Sequence, residues 1–225
     1  MATAPRRRTA RTSNSRASAR LFAFDRALGA SRVAGADEAG RGCLAGPLVV
    51  ASVCIDLGRL SRSHRLLLTD LDDSKRLAPA VRQRLAAAIT RVADQVVVLS
   101  ASCATIDRDG LHVTNLRLLR RSLELLDPAP DLCLVDGFRL GGTAVEHRAV
   151  VGGDRRSACI AAASVVAKAA RDRLMTGPAA GAHPGYGFEQ HVGYATTAHR
   201  AAIREAGPSV LHRRSFASPA FDGFD

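Results

Sequence analysis

Three short stretches of this 225-residue chain place carboxylates where they could act on a bond. "GADEAGRG" sets Asp37 and Glu38 side by side, "VDG" carries Asp136, and "GGD" carries Asp154. Each acidic site follows an apolar run with the character of a strand and precedes a glycine turn or a helix. Strand ends in an open α/β sheet are where ligands bind, so acids separated by 99 and 18 residues could converge there. Clustered carboxylates raise one another's pKa unless cations compensate. Hard divalent ions with oxygen ligands, Mg²⁺ or Mn²⁺, are the natural compensation. A pair of such ions can clamp the attacking water and the leaving oxygen of a phosphodiester displacement. Taken singly, each acid has a plainer reading. Asp136–Gly137 is an ordinary turn pair, and Asp154 could serve the positive end of a following helix. Asp37 and Glu38 together resist that reduction, because a turn needs only one of them.

Other chemistries find little support. "GRGCLA" fits the loose dinucleotide pattern G-x-G-x-x-A, but that motif must open a helix, and here Gly46, Pro47 and a β-branched run follow. There is no Walker loop, H-E-x-x-H or G-x-S-x-G. His183, His191, His199 and His212 are spread through the C-terminal part and suggest solvated or structural positions rather than a metal cage.

The elements that must hold the acids can be read from periodicity. Residues 20–30 suggest a leading helix ended by Gly29, and 33–37 and 48–56 suggest strands. A helix over 79–93 opens on a proline, and 95–103 is a further strand. In 112–127 Val113, Leu116, Leu119, Leu123 and Leu126 form an apolar stripe opposite Arg117, Arg121 and Glu124. Strands follow at 131–137 and 147–154. A helix over 157–175 is crowded with small side chains, which would let it sit close to a sheet, and one more helix falls near 196–206. Successive strands followed by alternation predict a mixed-sheet α/β domain.

Composition narrows the setting. The formal charge is +11, but residues 1–20 hold six arginines and no acid, leaving the remainder near +5. That Ser/Ala/Thr-rich segment reads as a disordered basic tail, either adding nonspecific phosphate affinity or simply tolerated. A basic body suits a polyanionic partner without identifying one. Five cysteines, odd in number and without a C-x-x-C pair, read as buried thiols in a reducing cytoplasm. No apolar run approaches the ~20 residues of a membrane-spanning helix, and no secretory signal is expected.

"GADEAGRGCLAGPLVVA" resembles the first motif of bacterial type 2 ribonuclease H, ribonuclease HII. The resemblance continues in order through "DDSKRL", "VDG", "GGDRRSACIAAASVVAKAARDRLM", "YGFEQHVGYAT" and "GPSVLHRRSF", covering about residues 20–217. "GRG" after the acidic pair favours type 2 over the related type 3 enzymes. The resemblance implies a ribonuclease H-like α/β fold: a central mixed five-stranded sheet flanked by helices, with a small helical C-terminal portion. It implies a catalytic domain over 21–217 between the tail at 1–20 and a flexible tail at 218–225. The implied activity cleaves the RNA strand of RNA–DNA hybrids and nicks duplex DNA 5′ of embedded ribonucleotides, leaving 3′-hydroxyl and 5′-phosphate ends. Such an enzyme would serve ribonucleotide and RNA primer removal as a cytoplasmic monomer with Mg²⁺ or Mn²⁺.

Carried over by motif, Asp37, Glu38, Asp136 and Asp154 are the catalytic, metal-binding carboxylates, the first three as direct ligands. Gly40, Arg41 and Gly42 match the segment that contacts the ribose 2′-hydroxyl and a nearby phosphate, and Tyr194 matches the tyrosine that stacks at the RNA–DNA junction. Elementary chemistry agrees. Only a 2′-hydroxyl separates RNA from DNA at one sugar, and glycines permit the close backbone approach needed to read it. Lys75 and Lys168 are the only lysines; Lys75 suits phosphate contact or a solvated loop equally. Asp172 and Ser74 could support the site or simply pair locally, and Tyr186 stays unassigned. Two departures stand out: Val192 replaces a common lysine, and "TGPAAGAHPGYGF" should stop the preceding helix near Thr176. "SPAFDGFD" is too generic to claim a replication-clamp contact. A noncatalytic hybrid binder and a hybrid-only ribonuclease are the competing readings.

Overall fold

β1 (Arg32–Ala39) lies at the middle of the sheet because its apolar residues face layers on both sides. The computed structural model describes residues 6–72, 74–143 and 145–224, with side chains described from residue 15 onward. The leading helix α1 (Arg6–Ala27) is followed by β1 and β2 (Leu48–Asp56), then α2 (Arg62–Leu67), α3 (Pro79–Val92) and β3 (Gln95–Ala101). Next come α4 (Cys103–Asp109), α5 (Leu111–Glu124), β4 (Leu132–Asp136) and β5 (His147–Val150). A 3₁₀ turn (Gly153–Arg155) leads into α6 (Ala158–Leu174), and α7 (Ala180–Ala182), α8 (Phe188–His191) and α9 (Thr197–Ala206) complete the chain. The five strands run in the order β3-β2-β1-β4-β5. β2 pairs antiparallel with β1 and β3, whereas β4 pairs parallel with β1 and β5. The sheet is therefore mixed, as its sequence pattern predicts.

Side-chain alternation along β1 divides the core. Val33 belongs with α6 and the inner residues of α3 on one face. Ala34 and Ala36 belong with Leu119, Leu123 and Leu126 on the other. Gly35 lets α6 come close: a Cβ there would stand 2.1 Å from the Cys159 carbonyl carbon. The small residues of α6 thus do what their pattern suggests, burying Ala158 to Ala163 completely. Ser157 caps this helix by accepting from the Ile160 N–H, and buried Asp25 of α1 accepts from the Cys159 N–H. Both interactions satisfy donors that a helix start leaves open.

Several expected boundaries shift. The helix expected over 20–30 begins at Arg6, so the chain is helical where a disordered tail was expected, and residues 1–5 lie outside the described set. Leu21 and Phe22 are buried, and the Ser18 hydroxyl donates to the Leu68 carbonyl at 2.8 Å. Helix-compatible Ala and Arg can extend an already anchored helix outward. Near the end of the chain, within the segment read as a tail, Ala220 is fully buried against Leu44 and Ile203. The helix expected to stop near Thr176 continues as a π segment (Met175–Ala179) and then α7. Pro178, lacking an N–H, is absorbed by the wider turn. All five cysteines are free and buried, three in the sheet and α6, and Cys43 and Cys103 near the C-terminal portion. Among the described residues no helix is long and apolar enough to cross a membrane.

Candidate active site

The end of β1 delivers the acidic pair. Strand alternation sends Asp37 towards α6, where the Ser164 hydroxyl lies beside it. It sends Glu38 to the opposite face, towards Asn115 of α5. Asp37 is 6% exposed and accepts the Glu38 N–H at 2.7 Å. Burial, then the charges of Glu38 and Asp136, push its carboxyl well above the usual carboxylate range. Burial also raises Glu38, opposed chiefly by the Arg41 guanidinium, whose Nη1 stands 3.4 Å from Oε1. Glu38 Oε2 is buried without a hydrogen-bond partner.

Asp136 ends β4, brought next to β1 by parallel pairing that sets Ala36 opposite Val135. Its Oδ1 accepts the Gly153 N–H at 2.7 Å, which ties the β4 end to the turn that carries Asp154. Asp154 is 5% exposed. A cleft of about 480 Å³ is lined by Glu38, Ala39, Gly40, Arg41, Gly42, Ser74, Lys75, Asp136, Lys168 and Tyr194. The fold thus brings the expected 2′-hydroxyl segment, Lys75 and Tyr194 onto one cleft with two of the acids. Asp37 and Asp154 do not line it and stand buried. Among the described residues no group of three or more His, Cys, Asp or Glu is drawn together closely enough to hold a metal ion. A divalent cation is nevertheless the partner that the partnerless Glu38 oxygen and the mutually repelling Asp37, Glu38 and Asp136 suit.

The GRG loop is built by two buried arginines. Gly40 has φ +97°, and a Cβ there would meet Arg171 Nε at 2.1 Å. Arg171 donates to the carbonyls of Ala45, Pro47 and Val192 at 2.9–3.0 Å, stitching this loop to the segment before Tyr194. Arg213 donates to the carbonyls of Arg41 and Gly46. A Cβ at Gly42 would meet nothing within 4 Å, so that position is open. Arg41 lays its guanidinium 4.9 Å from the Phe138 ring centroid.

Tyr194 is 39% exposed and bridges to Cys43 through backbone pairing. Beneath it lies a buried cluster of His191, His199, His212 and Phe188. The hydrogen-bond pattern assigns a direction to that cluster. Ser209 N–H donates to His212 Nδ1, leaving His212 Nε2 to donate to His199 Nε2, and His199 Nδ1 to donate to the Tyr194 carbonyl. Burial lowers both His199 and His212 to about 4. Of the solvated or structural positions expected, these three histidines take buried, hydrogen-bonded ones, and Tyr186 bonds the Gly207 carbonyl and stacks on Phe188. Val192 adopts a left-handed conformation with φ 45° and offers its carbonyl to Arg171. Asn115 escaped the sequence reading, although its place four residues before Leu119 marks it as core-facing. It is fully buried and turned towards Glu38, whose carboxyl it helps to hold down.

The family model for ribonuclease HII matches residues 34–219. The chain belongs to the ribonuclease HII family. It is 49% identical over 188 residues to ribonuclease HII of Mycobacterium avium (strain 104), a match covering 84% of this chain and 79% of that relative. The ribonuclease HII in a solved PCNA complex from Archaeoglobus fulgidus is 25% identical and superposes with a TM-score of 0.69, covering 83% of this chain and 95% of that one. A Bst ribonuclease HIII solved with Mn²⁺ shares the fold at 21% identity and TM-score 0.64, over 86% of this chain and 70% of that one. As a ribonuclease HII, the protein is an endoribonuclease, a hydrolase with ribonuclease H activity on RNA–DNA hybrids. That membership sets aside the noncatalytic binder.

Proposed function

We propose that this ribonuclease HII uses Mg²⁺ or Mn²⁺ to nick duplex DNA on the 5′ side of an embedded ribonucleotide, as well as cutting RNA–DNA hybrids. The observation that carries the reading is the single cleft shared by Glu38, Asp136, the Gly40–Arg41–Gly42 backbone and Tyr194. Chemistry, 2′-hydroxyl recognition and a ring for the junction meet there. The products would be a 3′-hydroxyl and a 5′-phosphate, and the role would be ribonucleotide and RNA primer removal by a cytoplasmic monomer.

Asp37, Glu38 and Asp136 would hold the cation, with Asp154 completing the acidic set. Bound there, such an ion supplies activation of a water and stabilisation of the leaving oxygen. The protein's own groups do the rest. Arg171 and Arg213 fix the GRG backbone at the cleft, and the open space at Gly42 lets a ribose approach main-chain atoms. A DNA sugar at that place would leave the waiting polar groups unmatched, which is how a hydroxyl is discriminated from its absence. Lys75 faces the phosphate backbone, and the Tyr194 ring receives the sugar or base at the junction.

The test is a duplex containing one ribonucleotide, incubated with Mg²⁺, with Mn²⁺, or with EDTA. A metal-dependent nick 5′ to the ribonucleotide is expected; cutting of continuous hybrids alone would favour the hybrid-only ribonuclease instead. Tyr194→Ala should lower kcat/KM for junction nicking by about 10-fold or more, the order of one lost stacking contact. An unchanged rate would return this tyrosine to a structural role.

A further inference from the structure

One wall of the cleft is held by ion pairs that the chemistry above leaves unused. Arg82 of α3 engages all three guanidinium nitrogens. Nε donates to the Ser74 carbonyl at 3.0 Å, Nη2 to the Leu77 carbonyl at 2.8 Å, and Nη1 to an Asp172 carboxylate oxygen. The other Asp172 oxygen accepts from Lys168 Nζ at 2.6 Å. That same ammonium stands 5.1 Å from the centroid of the Tyr194 ring. Ser74, whose hydroxyl meets Ser164 at 2.8 Å, precedes Lys75, and both line the cleft with Lys168 and Tyr194.

We propose that Asp172 is a positioning residue that sets the Tyr194 ring and the Lys75 loop as one unit. The inference rests on Tyr194 acting as the junction-facing ring. One carboxylate divides its two oxygens between two cations, one from the wall that carries Lys75 and one lying against Tyr194. The long Lys168 stem has many rotamers, and the ion pair with Asp172 selects the one that lays its charge on the ring. A cation over an aromatic face favours that geometry when partly desolvated, and all three charged side chains are mostly buried. Two cations against one anion also leave one net positive charge beside the cleft, the sign a phosphate backbone requires. Arg82 keeps its two carbonyl partners if the carboxylate is neutralised. Loss of the Asp172 charge should therefore free Lys168 and the ring before it unfolds the wall.

The protein has two tyrosines and no tryptophan, so tyrosine-labelled NMR gives two sets of ring signals, assigned with Tyr194→Phe. Asp172→Asn should shift the Tyr194 ring signals and leave those of Tyr186 in place. An unmoved Tyr194 signal would overturn the proposal. On a single-ribonucleotide duplex, Asp172→Asn should raise KM by about 10-fold with kcat within about twofold, since positioning a contact is uniform binding. In a Tyr194→Ala background the same substitution should cost less than about twofold, because interacting residues are not additive. Equal losses in both backgrounds would also overturn it. If the wild-type protein fails to nick that duplex, the functional reading falls, and the ring shift still decides the positioning claim. Should Asp172→Asn not fold, Lys168→Met removes the ammonium and keeps the stem. It must then produce the same Tyr194 shift, and no shift refutes the coupling.

Discussion

At the scale of single residues, Asp37 and Glu38 are neighbours in sequence that leave the strand on opposite faces, one towards Ser164 and one towards Asn115. A ligand can engage both only around the end of β1. Asp136 meets it there, because β4 pairs parallel and in register with β1. Asp136→Asn keeps an oxygen for the Gly153 N–H, so the fold and substrate affinity should persist. Turnover should fall on the order of 10²–10³-fold, the cost of losing one charge-stabilising group in an active site. Retained turnover in single-turnover assays would remove Asp136 from the catalytic set. The two loop glycines differ in what a side chain there would meet. Gly40→Ala drives a Cβ into Arg171 at a positive φ and should destabilise by about 2–4 kcal/mol, read as a lower unfolding midpoint. Gly42→Ala enters open space; its melting should match wild type while nicking of single ribonucleotides falls. The placement of the acids at strand ends could be read from residue types beside apolar runs, whereas the GRG segment stood out only through the family resemblance, its glycines alone reading as a nucleotide loop. Asn115 was not legible, because a polar residue on an apolar stripe reads as an interruption until the fold shows what it faces.

At the scale of elements, long periodic segments were legible and short or rotated ones were not. The helix over 157–175 is α6 almost to the residue, since its small side chains allow one packing against β1. α2 and α4 have six and seven residues, too few for a period to declare itself. α5 is present, but its buried face is turned: Val113 is 58% exposed, whereas Thr114, Asn115 and Ser122 are buried. Ser122 is accommodated by a 2.6 Å hydrogen bond to Ser52 of β2, a partner no local pattern reveals. The C-terminal portion carries the pH prediction. His199 and His212, at about 4 when folded against 6.5 ordinarily, bind protons more readily in the unfolded chain. Their stability contribution is therefore full above pH 6.5 and is lost as pH falls towards 4. His191 faces His199, and His183 and Arg214 face His212, so nearby positive charge deepens the effect. Asp37 and Glu38, with raised pKa values, oppose this trend, but they are common to wild type and His199→Gln. Unfolding midpoints measured from pH 7 to 4.5 should fall more steeply in the wild type than in this variant. Parallel curves would place the titration elsewhere.

At the scale of the whole molecule, the +11 charge is weighted to the N-terminus, where residues 1–14 contain four arginines. Deleting residues 1–14 leaves Ser18, Leu21 and Phe22 of α1 in place. It should weaken duplex binding mainly at low salt, reducing the log–log salt slope by about 0.9 per lost phosphate contact. Identical slopes would make the segment inert. The buried thiols have a different consequence: they make the protein its own set of timers. Cys103 donates to the Leu211 carbonyl and Cys43 pairs with Tyr194, whereas Cys54, Cys133 and Cys159 sit in the sheet and α6. A thiol reagent can reach each only when the structure over it opens. If the C-terminal portion lifts from the sheet on its own, Cys43 and Cys103 will be modified early and the other three only with global unfolding. Labelling followed by mass spectrometry would then clock how often the wall bearing Tyr194 parts from the acids.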